Sequence, residues 1–374
     1  MVIAINTKIT SIHGGEDRRH FIFEILSRII QSHPEHTFVF IGETAPDQLL
    51  AASGNVKVAT LGPRRQNPAL RYLWLNVRLP SLLKKLKADG LISFGVGPHV
   101  ISLAQLVLVD NLDYLFQPFL FTRTELLFFR TFVPRLLRKA RAIVTVSAFG
   151  KSAISKQFKI DSDKIKVVHK GIDKNFIPVP SSQRENIKMK YARGNEYFIY
   201  AGDIALHKNL LNLLKAFSAF KKRQKSNMHL LIIGKPGSKF DLFMENLRLF
   251  KFKEDVSVLE CVAAEETPAL IAAAYAMVYP SHFDFFATQP LHAIQSGVPV
   301  IVSSRGAMPE LLQEAALYVD ADNFKEIAVK MMLLFKDEVL RNALIEKGKI
   351  QAMAYHWDVA AGLFWETFQA ALPG

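Results

Sequence analysis

Lys208, Asp284 and His292 are the side chains of this 374-residue chain best placed to act on an anionic ligand. Lys208-Asn209 follows the apolar run Tyr197–Ala201, which ends at Gly202, and opens a helical pattern with apolar residues at 210, 213, 214, 217 and 220. A lysine at a helix start beside a sheet edge supplies a cation where a diphosphate would lie, and the helix dipole adds to it. Asp284 lies in the loop between the apolar run Ala276–Pro280 and a helix predicted to begin at Thr288-Gln289-Pro290. Its carboxylate offers acceptor oxygens, and His292, one turn into that helix, can accept or donate a hydrogen bond to a hydroxyl. Two glycines, Gly14 and Gly15, follow the first strand and permit close approach of backbone to a ligand, while Asp110 ends another apolar run.

Other chemistries find little support. The eleven histidines show no zinc-like spacing, and Cys261 is the single cysteine, so no metal site is expected. Asp161-Ser-Asp163 and Asp320-Ala-Asp322 border predicted helix starts and read as caps. Neither a Gly-x-Ser-x-Gly elbow nor a P-loop occurs.

The elements that must hold these residues alternate. Short apolar strands are predicted at 2–6, 37–41, 56–59, 90–94, 106–110, 142–146 and 166–169, and again at 197–201, 229–233, 256–260, 276–280, 299–302 and 316–319, with helical patterns between them. Such alternation predicts parallel sheets covered by helices on both faces. The polar stretch Pro178–Gly194 reads as a linker between the two series. Three segments follow: a first domain over 1–176, a second over 177–355, and a terminal amphipathic helix in 356–374 carrying Trp357, Ala360, Phe364 and Phe368.

Half of the residues are apolar, enough for two cores, and no apolar run reaches transmembrane length. One cysteine excludes an internal disulfide and fits a reducing compartment, so a cytoplasmic protein is expected. The net charge of +13 is concentrated: residues 1–176 hold 25 basic and 13 acidic side chains, whereas 177–374 hold 22 and 21. In the first half the cations interleave with apolar residues, from Arg64 and Arg71 through Arg78 and Lys84 to Arg130, Arg135, Arg138 and Arg141. That pattern suits contact with an anionic membrane, at the inner face of the plasma membrane, better than nucleic acid, for which no binding module is recognisable.

The segment Ser281–Ile301, S-H-F-D-F-F-A-T-Q-P-L-H-A-I-Q-S-G-V-P-V-I, resembles the signature of the family-4 glycosyltransferases, in which the loop reads S-x-x-E-G-F-G-L-P-x-L-E-A. Ser281, Phe286, Leu291, Ala293, Gly297 and Pro299 fall in register; Asp284 and His292 stand at the two glutamate positions, and Phe285 and Ala287 at the glycines. Tyr197–Phe220 is similar to the family's G-R-x-x-x-x-K-N loop, with Lys208 and Asn209 matched and Asp203 in place of the arginine, where it would face outward or pair with His207 or Lys235. Leu108–Pro118 takes the place of H-D-L-x-x-x-x-x-P, with Asp110-Asn111 for His-Asp, and Thr145–Ser152, Lys164–Asp173 and Ser303–Glu310 match further segments.

The resemblance implies an α/β GT-B fold, two Rossmann-like doubly wound domains facing a central cleft, with the terminal helix crossing back to the first domain. It implies a retaining hexosyl transfer from a nucleotide-sugar to a lipid-linked or polysaccharide glycan acceptor in cell-surface glycan synthesis, with no cofactor and no metal. Lys208, Asp284 and Asp110 would be catalytic; Gly14, Gly15, Gly202, Asn209, Phe286, Ala287, Thr288 and His292 would surround the donor. The polar substitutions at Asp110, Asp203, Asp284 and His292 motivate a competing reading, a catalytically impaired relative serving as a binding or scaffold protein.

Overall fold

In a computed structural model the described residues are 1–7, 15–42, 53–60 and 72–373. They form two compact units, Met1–Gly171 with His356–Gly374, and Ile172–Tyr355. The strands of the first are β1 (Val2–Asn6), β2 (Thr37–Gly42), β3 (Val56–Thr60), β4 (Gly90–Phe94), β5 (Ala104–Val109), β6 (Ala142–Thr145) and β7 (Ile165–Val167). Those of the second are β8 (Tyr197–Ala201), β9 (His229–Ile233), β10 (Val256–Leu259), β11 (Ala276–Tyr279), β12 (Val300–Ser303) and β13 (Ala316–Val319). The sheet orders are β3-β2-β1-β4-β5-β6-β7 and β10-β9-β8-β11-β12-β13, and every pairing is parallel.

Central strands such as β4, β8 and β9 are buried at every residue, which is why their sequences are continuous apolar runs rather than alternating ones. Chain order reverses between β1 and β4 in one sheet and between β8 and β11 in the other. Loops that leave the carboxyl ends of such adjacent strands diverge, opening the crevice where doubly wound folds take ligands.

The polar stretch expected to be a linker is instead a helix, Ser181–Ala192. Its Lys188 is buried between Glu185 and Glu196, at 2.9 and 2.5 Å, so charges there serve packing rather than solvation. Residues 172–176, assigned to the first domain from sequence, pack within the second unit. Phe176 stacks on His292, and the Asp173 carbonyl accepts from the Gln295 side chain at 3.0 Å. The helix Trp357–Ala371 packs on the helix Gly15–Ser32 and beside β5 and β6 of the first unit. No helix among the described residues is long and apolar enough to cross a membrane.

The terminal helix contributes to the first core through Phe364 and Phe368, both at most 1% exposed, with the Phe364 ring stacked on Phe94 of β4 at 6.4 Å. Phe364→Ala is expected to destabilise this unit by about 3–5 kcal/mol. Urea unfolding with an unchanged midpoint would show that this helix is peripheral to the core.

Candidate functional site

The second unit brings Lys208 and Asp284 together at its topological switch point. Lys208 sits in the loop after β8, Asp284 in the loop after the neighbouring β11, and Lys208 Nζ donates to Asp284 Oδ1 at 2.6 Å. The same ammonium donates to the Tyr279 hydroxyl at 3.2 Å and lies 5.6 Å from the centre of that ring. Tyr279 stacks on Tyr200 at 5.5 Å, and the Tyr200 hydroxyl donates to the Asp203 carbonyl at 2.9 Å. Burial, more than the neighbouring Tyr279, pushes the Tyr200 phenol far above its ordinary range, so it stays a donor. Both ion-pair side chains are mostly covered, at 12% and 15% exposure. Asp284 Oδ2 is buried with no hydrogen-bond partner among the described residues. A carboxylate oxygen in that position is an acceptor waiting for a donor, since its desolvation goes uncompensated.

Backbone packing holds the two loops. Gly234 has φ +152°, and a Cβ there would lie 1.8 Å from the Gly202 carbonyl oxygen, so only glycine lets the β9 loop brace the β8 loop. On the other side Gly306 (φ +70°) lies against Asp284: its Cβ would meet the Asp284 carbonyl oxygen at 2.6 Å, and the Ala307 N–H donates to that oxygen at 3.1 Å. The His282 N–H donates to the His207 carbonyl at 3.3 Å, joining the lysine loop to the aspartate loop directly.

Residues 31–176 match the family described as Glycosyltransferase Family 4, and residues 183–351 match Glycosyl transferases group 1. The chain belongs to the family-4 glycosyltransferases. An O-antigen chain mannosyltransferase B of Escherichia coli is 27% identical over 223 residues, 59% of this chain and 58% of that glycosyltransferase. An O-antigen chain mannosyltransferase, RfbU, of Salmonella typhimurium is 29% identical over 217 residues, 57% of each protein. The matched region thus spans little more than half of these relatives. Among solved structures, Anabaena Alr3699/HepE in complex with UDP and glucose superimposes with a TM-score of 0.74 at 15% identity, over 99% of this chain and 100% of that one, a likeness of fold.

The remaining expected residues are distributed differently from the sequence reading. Lys208 does not open the helix; it ends a short 3-10 turn, Leu206–Lys208, and the helix runs Leu210–Gln224. Between them Asn209 adopts the left-handed conformation (φ +64°). Its side-chain amide is spent inside the protein, donating to the carbonyls of Pro280 at 3.0 Å and Ala321 at 2.6 Å, so it locks the loops rather than presenting itself to a ligand. Asp203 is exposed, and Gly202, with φ +140°, makes the turn out of β8.

The helix Thr288–Gln295 has Ala287 at its N-cap and no side-chain cap, leaving its amino end dependent on other acceptors. Phe286 is buried with its ring edge-on to Tyr355, Phe285 packs edge-on against Phe283, and Ala287 is fully buried. The bulk that replaces the family's glycines is therefore directed into the unit's own packing. His292 is buried, its ring stacked on Phe176 at 3.6 Å.

In the first unit Asp110 makes a bidentate ion pair with Arg18, at 2.9 and 2.5 Å, so this expected catalytic carboxylate is held by a guanidinium. Gly14 lies outside the described residues, and Gly15 begins the helix Gly15–Ser32. Asp161 caps its turn as expected, accepting from the Asp163 N–H at 2.9 Å. Asp320 and Asp322 do not cap the following helix. Asn323 does, while Arg305 takes both carboxylates at 2.8 and 2.6 Å. Tyr279, Arg18 and Arg305 were missed from sequence. Only Tyr279 carried a signal, as the last residue of a strand that leads into the signature loop.

The ion pair has a testable energetic signature. Lys208→Met leaves the part-buried Asp284 carboxylate without a cation and is expected to cost up to about 3–5 kcal/mol of stability, less what solvent screens. The double variant Lys208→Met/Asp284→Asn is expected to recover a large share in the same denaturation assay. Additive losses would mean that the two side chains do not depend on each other.

Proposed function

We propose that this chain is a retaining glycosyltransferase that takes a hexosyl group from a nucleotide-sugar and delivers it to a lipid-linked or polysaccharide acceptor during cell-surface glycan synthesis. The observation that carries this reading is the Lys208–Asp284 pair at the switch point, with Asp284 Oδ2 unsatisfied beside it. The mannosyltransferase relatives and the UDP- and glucose-bound structural neighbour support it.

In this reading the arriving diphosphate draws the Lys208 ammonium away from Asp284. The freed carboxylate accepts hydrogen bonds from sugar hydroxyls, so one ion pair is exchanged for two ligand contacts. The sugar C1–O bond to the diphosphate breaks, the acceptor oxygen bonds C1 from the face the diphosphate leaves, and a phosphate oxygen takes the acceptor proton. Lys208 and the amino end of the helix Thr288–Gln295 stabilise the leaving charge, so no metal or cofactor is needed.

The acceptor side of the proposal rests on the first unit. Tyr72, Leu73, Val77, Phe119 and Leu127 are exposed among the cations of residues 78–141, including Arg123, Arg130, Arg135 and Arg138. The local positive field is felt by His99, which burial first and then Arg135 and Lys139 hold below its ordinary value. Exposed apolar side chains beside cations suit an anionic lipid surface.

Two measurements test these statements. Titration calorimetry with a panel of nucleoside diphosphates and their sugars is expected to give saturable heat with one base. Lys208→Ala should weaken that binding by about 1.5–3 kcal/mol, the range for hydrogen bonds to charged groups. Absence of heat across the panel would favour the scaffold reading instead. In flotation with anionic liposomes, Arg130→Glu/Arg135→Glu/Arg138→Glu is expected to reduce recovery several-fold, as added salt should; recovery indifferent to lipid charge would refute the membrane contact.

A further inference from the structure

The turn that joins the helix Gly15–Ser32 to β2 places three metal-ligating side chains within four residues: His33, Glu35 and His36. Backbone contacts hold this turn without help from a ligand. The His36 N–H donates to the His33 carbonyl at 3.2 Å and the His33 N–H to the Ile29 carbonyl at 3.1 Å. The Asn55 side chain donates to the carbonyls of Ile30 and His33 at 3.2 and 3.3 Å. The two imidazoles are fixed in turn by the terminal helix, whose Trp365 stacks on His33 at 4.3 Å and leans on His36 at 5.5 Å.

In this frame His33 Nδ1 lies 3.4 Å and His36 Nε2 3.3 Å from the same Glu35 Oε1. All three ligand atoms fall within 4.8 Å of one another. These separations are long for hydrogen bonds, which cluster at about 2.9–3.0 Å. They match the edge of a tetrahedron instead: two ligands each about 2.1 Å from a zinc ion stand about 3.4 Å apart.

We propose that His33, Glu35 and His36 form a binding site for a divalent transition-metal ion of the zinc type, with two imidazole nitrogens and one carboxylate oxygen as ligands and the remaining position open to water. Two nitrogens to one oxygen select zinc, nickel or copper over magnesium and calcium, which favour all-oxygen surroundings. The tautomer that offers His36 Nε2 to the metal puts the proton on Nδ1, which is buried with no hydrogen-bond partner among the described residues. Outer-shell partners contribute about 10–100-fold to metal affinity, so this site binds more weakly than a closed structural zinc centre. An ion here would bind the turn before β2 more firmly under the terminal helix, within the first unit and apart from Lys208 and Asp284 in the second.

The test uses the full chain without a histidine tag, stripped with a chelator and titrated with zinc chloride by calorimetry, with tryptophan emission as a second readout through Trp365. One equivalent of zinc is expected to bind and to raise the melting temperature, and magnesium should do neither. Glu35→Gln changes an exposed side chain, and with His36→Gln is expected to lower zinc affinity roughly tenfold or more while leaving circular dichroism and nucleotide binding unchanged. Zinc affinity equal to the unaltered protein in both variants would place the ion on other histidines and overturn the proposal. So would equal competition by magnesium, or the absence of saturable zinc binding.

Discussion

Two opposite charges, Lys208 and Asp284, meet where a parallel sheet reverses its winding, and much of the second unit is arranged around that meeting. The constraint is electrostatic. An ammonium and a carboxylate that are mostly covered must compensate each other, because either alone would carry a large desolvation cost. The pairing is incomplete by one oxygen, and that incompleteness is what turns a stabilising contact into a candidate site. A diphosphate offers the lysine more negative charge than Asp284 does, while sugar hydroxyls offer the aspartate what the lysine took away. In the proposed function the resting pair would stand in for both halves of the ligand; in the structure it joins the two loops, together with the His282 N–H bond to the His207 carbonyl.

The first unit handles its own reversal of winding in a related manner with different residues. Arg18, from the helix after β1, grips Asp110 at the end of β5, and Lys170 is buried beside Asp17. Here both carboxylate oxygens are engaged, and the guanidinium geometry is bidentate, which favours permanence over exchange. Among the described residues of this unit, cations such as Arg123, Arg130, Arg135 and Arg138 are exposed, as are the apolar side chains of Leu73, Phe119 and Leu127. The two units thus differ: one holds a pair with one carboxylate oxygen left over, the other a pair with both oxygens engaged.

Strand positions were readable because buried parallel strands are written as short apolar runs, and the observed ends differ from the expected ones by a residue or two, as at β5 and β7. The helix Ser181–Ala192 was not readable, since Lys188 is buried through partners eight or fewer residues away rather than through an apolar stripe. At the site, loop identity was legible and side-chain allegiance was not. Nothing in the one-dimensional order of residues says that Asn209 gives its amide to Pro280 and Ala321, or that Arg18 claims Asp110, because those partners are 71 to 112 positions away. The histidines of the turn before β2 escaped notice for the opposite reason. They are so close in sequence that only a tight turn, and Trp365 from the far end of the chain, brings their nitrogens to one carboxylate.

The amide of Asn209 has an implication for anyone who would re-engineer the ligand preference of this protein. By bonding two carbonyls at once it splices three separate stretches, 202–209, 280–287 and 320–322, into a single mechanical part. Swapping the 202–209 stretch for one without the asparagine would break the splice and take this donor from the Pro280 carbonyl, while Ala321 would keep only the longer bond from Asn212 at 3.2 Å. Grafts here have to travel as a trio, asparagine included.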